Sequence, residues 1–211
     1  MPEVQSHGFT FEKWVKQQFF GGYEGSYMQK WDVAAEHNNS VRIPECFRNL
    51  PVSIKTAKRG SPIGLGDVLR QRQIDQPFVM IVGFWEQTSK TEKRITEVGY
   101  ARFTADTWES LWGELCVDQL RELDRVVKNL NEHYSTVRQK AKLWKVQAVV
   151  RSCKIVINPK IDSKVQRRIQ CSLPVDIFWQ FASQDKQTNA EVTLWGAAFP
   201  NPIISPPRSF K

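Results

Sequence analysis

The chain has 211 residues, of which 41% are hydrophobic and 25% charged, with a formal net charge of +8. That length builds a substantial core, and that balance excludes disorder over most of the chain. The longest apolar run, Phe78–Trp85, is too short to span a bilayer, and MPEVQSHGFTFEKW lacks the apolar segment of a secretory signal, so a cytoplasmic protein without a membrane partner is expected.

Phe11, Trp14, Val15 and Phe19 recur at helical spacing and predict an amphipathic helix over residues 10–20, with Glu12 off the apolar stripe. Gly21, Gly22 and Gly25 break it. Residues 27–33 (YMQKWDV) suit a strand that carries Asp32 near its end. Pro51 opens a second strand, PVSIKTA. Val52 and Ile54 share one of its faces and Ser53 and Lys55 the other, because side chains alternate along an extended chain. RGSPIGLG reads as a loop into a short helix from Asp67 to Ile74.

FVMIVGFW reads as a central strand buried on both faces, and residues 95–103 as another strand. Trp108, Leu111, Trp112 and Leu115 mark a helix, and Leu123, Val127, Leu130 and Tyr134 a longer one. KIVINPK, QRRIQCSLPVDIFWQF and EVTLWGAAF read as strands of a β-rich C-terminal lobe, and FPNPIISPPRSFK as an extended tail. The expected organisation is one domain, with residues 1–104 as its core and 105–211 as a helical and β-rich region.

Charge is concentrated within that second half. Between Arg138 and Arg168 ten Lys or Arg residues stand against one acid, Asp162. Such a stripe is the footprint of a phosphate backbone or a solvated helix face. Other chemistries find no support: GxxxxGK[ST], GxGxxG and GxSxG are absent, and His7, His37 and His133 lack ligand spacing. Cys46, Cys116, Cys153 and Cys171 are too scattered for a zinc site or a CxxC pair.

Hydrolysing a phosphodiester requires an oriented water and charge neutralisation, which magnesium supplies when hard oxygen ligands hold it and a lysine stands nearby. Asp32 with the Ser53/Lys55 pair meets that pattern; a solvated sheet face is the other reading of Lys55. The order of a helix with Glu12, a strand with Asp32, a strand with Lys55, a helix from Asp67 and the strand FVMIVGFW resembles the core of the PD-(D/E)xK nucleases, which include many type II restriction endonucleases.

The resemblance covers roughly the first half of the chain. It implies an α/β, restriction-endonuclease-like fold, with a mixed sheet flanked by helices. It further implies Mg²⁺-dependent cleavage of double-stranded DNA, a homodimer matching a two-fold site, and a separate cognate DNA methyltransferase. A structure- or damage-directed nuclease, or an inactive DNA-binding module, are the alternatives.

Residue by residue, it implies that Asp32 is the central metal ligand, that Lys55 positions the attacking water, and that Glu12 orients the lysine or a metal-bound water. Where the family has an acid two residues before the lysine, this chain has Ser53, as in Ser-x-Lys variants that take the carboxylate from a following helix. Asp67 is the candidate replacement, its other reading being a helix N-cap; Glu36 and Glu45 are weaker ones. Lys58 and Arg59 are expected beside the scissile phosphate or as loop charges. Lys160, Lys164, Arg167 and Arg168 are expected on backbone phosphates, and Asn158, Gln166, Asn201 and Arg208 as possible base readers.

Overall fold

The computed structural model describes residues 6–25, 30–163, 166–185 and 191–204. The chain forms two compact units that alternate along the sequence. The first comprises Met1–Ile63, Pro77–Phe103 and Phe178–Lys211, and the second Gly64–Gln76 and Thr104–Ile177. The second unit thus takes in 64–76 from the first half of the chain, and the C-terminal segment returns to the first unit.

In the first unit, helix α1 (Ser6–Phe19) buries Phe11, Trp14, Val15 and Phe19 and stops before Gly21 and Gly22, both at positive φ. Strand β1 (Val52–Lys58) is followed by β2 (Ile63–Asp67) and helix α2 (Val68–Arg72), which lead to β3 (Phe78–Gln87) and β4 (Glu92–Phe103). β1 and β3 pair in parallel and β3 and β4 antiparallel, so the sheet is mixed. Val79 and Ile81 of β3 join Val52 and Ile54 in the core beneath α1. Gly83 admits the Phe11 ring, which a Cβ there would meet at 2.8 Å. On the opposite face Phe84 packs on Phe178 and Trp179. The strand is therefore covered on both sides, as its unbroken apolar run predicts.

The second unit continues with helices α3 (Ala105–Ser110), α4 (Val117–Lys128), α5 (Tyr134–Lys145) and α6 (Ala148–Arg151). Strands β5 (Val156–Ile161) and β6 (Arg167–Leu173) follow, then helix α7 (Val175–Trp179), which ends in the first unit. β2, β6 and β5 make a three-stranded sheet; α4 packs on β6 and α5 on β5. Back in the first unit, β7 (Ala182–Ser183) and β10 (Ile203–Ile204) pair with β4. β8 (Thr193–Leu194) and β9 (Ala197–Ala198) form a small hairpin. The architecture is mixed α/β, and among the described residues no helix is long and apolar enough to cross a membrane.

Several expectations are corrected. Of the strand expected over 27–33, residues 30–32 form a bend and Val33 makes a single antiparallel bridge to Val52, while 27–29 lie outside the described residues. The cause is local: the Asp32 carboxylate takes the Ile54 amide that the next carbonyl of a continuing strand would have accepted. The expected loop RGSPIGLG contains β2. The helix marked by Trp108–Leu115 stops at Ser110, although Leu111, Trp112 and Leu115 are fully buried beyond it.

The long helix through Tyr134 is two helices, broken at 129–133. QRRIQCSLPVDIFWQF is strand only to Leu173. After Pro174 the chain turns into helix α7, whose Phe178 and Trp179 pack on Phe84, a pattern that a short apolar run does not reveal. EVTLWGAAF is not one strand but the β8–β9 hairpin, turned at Trp195 and Gly196, both at positive φ.

Candidate active site

Three backbone bonds dock the Asp32–Val33 segment on β1: Asp32 N and Val33 N both donate to Val52 O, and Val52 N donates to Val33 O. This fixes the Asp32 side chain over the next residues of β1. Its Oδ2 accepts from Ile54 N at 2.6 Å and from Lys55 Nζ at 2.9 Å. Ser53 Oγ stands at 3.5 Å from the same oxygen, the outer limit of a hydrogen bond. Asp32 Oδ1 carries no hydrogen bond among the described residues. Alternation along β1 sends Val52 and Ile54 into the core under α1 and leaves Ser53 and Lys55 on the other face.

The Lys55–Asp32 pair is half-buried, with side-chain exposures of 22% and 26%. Its direct contribution to stability is therefore about 1 kcal/mol or less. What the arrangement provides is position. A backbone amide locks the carboxylate, the carboxylate locks the ammonium, and both side chains remain partly exposed. An ammonium held this way can neutralise an anionic oxygen or orient a water; a carboxylate with one free oxygen can hold a hard cation or accept a proton.

The other predicted members have the following placements. Glu12 sits on α1, which covers the Val52/Ile54 face of β1, and its carboxylate is held by Lys16 at 2.6 Å. Asp67 belongs to the second unit and caps α2, its Oδ1 accepting from Arg70 N at 2.9 Å. Glu36 and Glu45 lie exposed in short 3-10 turns. Among the described residues no three His, Cys, Asp or Glu side chains converge as a metal cage. Magnesium, however, is commonly held by one or two carboxylates completed by substrate phosphate oxygens and water. Asp32, with Oδ1 unengaged, meets that minimum, so the residues fit a substrate-completed site and not an all-protein one.

Of the expected phosphate ligands, Lys58 is exposed, and Arg59 is ion-paired with Glu86 at 3.0 Å, an interaction that raises the guanidinium pKa further. Arg167 is corrected: its guanidinium donates to the carbonyls of Asn129 and Glu132 and so ties β6 to the chain between α4 and α5. It is a capping group, not a free phosphate ligand. Lys160 and Arg168 are exposed and paired across β5 and β6. Asn158 donates to Ser172 Oγ at 2.9 Å. Asn201 is also corrected as a base reader: its amide brackets Ile95, donating to its carbonyl and accepting from its N–H. Lys164 and Arg208 lie outside the described residues.

Comparison with protein-family models, curated proteins and solved structures returned no match. The site therefore rests on its own geometry.

Two features escaped the sequence reading. The Ile54 amide is a member of the site that no side-chain pattern can announce. In the same unit, Arg42, Arg48, Tyr100, Asp185 and Trp195 line a hollow of about 480 Å³ that holds none of the predicted site residues. There Tyr100 donates to Asp185 Oδ1 at 3.0 Å, and burial, with Asp185 adding to it, pushes the phenol up to about 12. These partners are 85 residues apart, and neither has a local signature.

Proposed function

We propose that the chain is a magnesium-dependent endonuclease that hydrolyses double-stranded DNA on a restriction-endonuclease-like fold, with Asp32 and Lys55 as its reactive pair. The observation that carries this reading is the meeting of those two side chains at 2.9 Å from separate segments. Part of the element order supports it: α1 precedes β1 with Lys55, and α2 and the buried β3 come after, although a bend stands where the resemblance has a strand with Asp32 and β2 intervenes before α2. So does the basic excess between Arg138 and Arg168.

In this mechanism Ile54 N holds the Asp32 carboxylate in one orientation, which leaves Oδ1 facing the substrate. Asp32, with phosphate oxygens, would hold magnesium, whose chemistry is charge neutralisation and activation of a water. Lys55 donates to the water or the attacked phosphate and offsets the negative charge that grows there, in a site pre-oriented for it. Ser53 adds a hydroxyl donor beside the carboxylate. Duplex DNA and a second copy of the chain are the implied partners.

The test is incubation of wild type, Asp32→Asn and Lys55→Ala with plasmid DNA and Mg²⁺. Nicking or linearisation by wild type alone supports the reading, and equal cleavage by Asp32→Asn rejects the site. Discrete fragments indicate a site-specific restriction enzyme, whereas branch-only cutting or a smear indicates a structure- or damage-directed nuclease. A second reading, a DNA-binding module without hydrolysis, is favoured by Ser53 in the acid position and by the lack of a clustered acid set among the described residues. Wild type that binds duplex DNA and never nicks it establishes that reading.

A further inference from the structure

The second unit carries a surface that takes no part in the Asp32–Lys55 chemistry. Strands β5 and β6 form an antiparallel ribbon whose two faces differ sharply. On the inner face Ile157, Ile169 and Cys171 are buried. On the outer face the register sets Lys160 opposite Arg168 and, one pair further along, Asn158 opposite Gln170. Lys160 and Arg168 are exposed, and neither meets an acid among the described residues. Like charges directly opposite on one face repel, so this pair is a standing cost that an anion removes.

The acids at the ends of these strands are committed elsewhere: Asp67, which ends β2, caps α2, and Asp162, which follows β5, closes the hairpin turn by accepting from Gln166 N. The strand beside β6 adds no obstruction, because Gly64 and Gly66 alternate with buried Ile63 and Leu65 and have open space where a Cβ would stand. The amide pair is equipped to read. Among the described residues Gln170 has both donor and acceptor uncommitted, and Asn158 has its carbonyl oxygen free while Ser172 holds its NH₂.

We propose that the β5–β6 ribbon lies in the major groove of duplex DNA, gripping phosphates with Lys160 and Arg168 and reading base edges with Asn158 and Gln170. The groove, about 12 Å wide, admits two strands and presents base-specific patterns that Asn and Gln amides match; β5 is the edge strand of the β2–β6–β5 sheet and would enter first, with β6 beside it and β2 left at the rim. Residues two apart on one strand face are separated by about 7 Å, which sets the cationic pair apart from the amide pair as backbone is from base edges. The proposal rests on DNA as the ligand in the reading above but not on hydrolysis.

The test uses the full chain without divalent metal, so that binding is read apart from cleavage. Binding to a random-sequence duplex is followed by fluorescence anisotropy across a salt series. Lys160→Ala with Arg168→Ala should flatten the slope of log K against log salt by about 0.9 for each phosphate no longer neutralised, while Lys90→Ala with Arg94→Ala, exposed and outside the basic stretch, leaves it unchanged. Selection from a pool of duplexes with a randomised centre should enrich a motif with wild type. Asn158→Ala with Gln170→Ala should lose that motif with its salt slope intact.

An unchanged slope in the first variant overturns the proposal, as does the same motif enriched by the amide variant or equal competition by double-stranded RNA, whose major groove is too narrow to enter. Plasmid cleavage by wild type with unaltered binding of the ribbon variants sinks the ribbon and spares the nuclease. Ribbon-dependent binding without cleavage does the reverse.

Discussion

Lys55→Met separates a catalytic lysine from a structural one. The substitution keeps the aliphatic stem and removes the ammonium. It deletes one ion pair with Asp32 at 2.9 Å, between side chains 22% and 26% exposed. Pairs this accessible contribute about 1 kcal/mol at most. No amide is orphaned, because Ile54 N still donates to Asp32. For a chain this size the melting temperature should fall by no more than about 4 °C. Cleavage should fall much further, by about 10²–10⁴-fold, the usual contribution of a positioned acid–base group.

Asp32→Ala makes the contrast. It leaves both Ile54 N and the Lys55 ammonium without their acceptor, and a hydrogen bond to a charged group is worth about 1.5–3 kcal/mol. That variant should therefore lose stability as well as activity. Calorimetry and single-turnover cleavage with Mg²⁺ supply the two readings. A cleavage loss below about tenfold in Lys55→Met, or a melting temperature lowered by more than about 8 °C, would show that the lysine serves the fold and not the reaction.

Ser53→Asp places a second carboxylate beside Asp32 on a buried position; without metal the like charges should lower the melting temperature, and Mg²⁺ should raise it again by binding the folded state alone. A melting temperature indifferent to Mg²⁺ would remove the metal from that pocket. Gly83→Ala drives a Cβ to 2.8 Å from the Phe11 ring and Gly99→Ala to 2.7 Å from Phe178 and Trp179; each should cost about 1–3 kcal/mol by overpacking, read by chemical denaturation.

Tyr100 is favoured neutral in the fold, so its contribution is complete below about pH 10 and is lost as pH rises through about 12. Tyr100→Phe should lose that alkaline dependence, and an identical pH profile counts against the buried phenol. Burial pushes the Cys153 thiol up to about 11 and Cys171 higher still, while Cys46 and Cys116 are exposed. At about pH 8 the two exposed thiols should react quickly in the native protein and all four after denaturation.

Legibility in the sequence followed the range over which each element is determined. Helix α1 and strand β3 were readable because their burial pattern is written in consecutive residues: a 3.6-residue apolar stripe in one, an unbroken apolar run in the other. The Ser53/Lys55 face of β1 was readable for the same reason. Where a distant partner decides the structure, the pattern fell short. Arg167 looks like one more cation in a basic stripe until its guanidinium is found on carbonyls 35 and 38 residues earlier. Asp67 satisfies the cap and the ligand pattern equally from sequence; only the bond to Arg70 N shows what it does in the fold. The 27–33 strand failed because Asp32 substitutes its side chain for backbone pairing, an exchange invisible to propensity.

That exchange also explains how one carboxylate can be placed accurately without a surrounding cage. A strand that extended back from Val33 to Trp31 would pair with Ile54 through its backbone and carry the Asp32 side chain away from that amide. By ending the ladder, Asp32 lays its own carboxylate across the amide and the lysine, where one oxygen is fixed by two donors and the other left free. The cost is small, since the amide keeps an acceptor and the pair stays partly solvated. The return is a half-assembled polar site: a free anionic oxygen and a cation held at hydrogen-bond distance from its partner, which an arriving phosphate would complete. With no group of three His, Cys, Asp or Glu side chains among the described residues to cage an ion, that dependence on the substrate is what the geometry requires of any metal chemistry at this position.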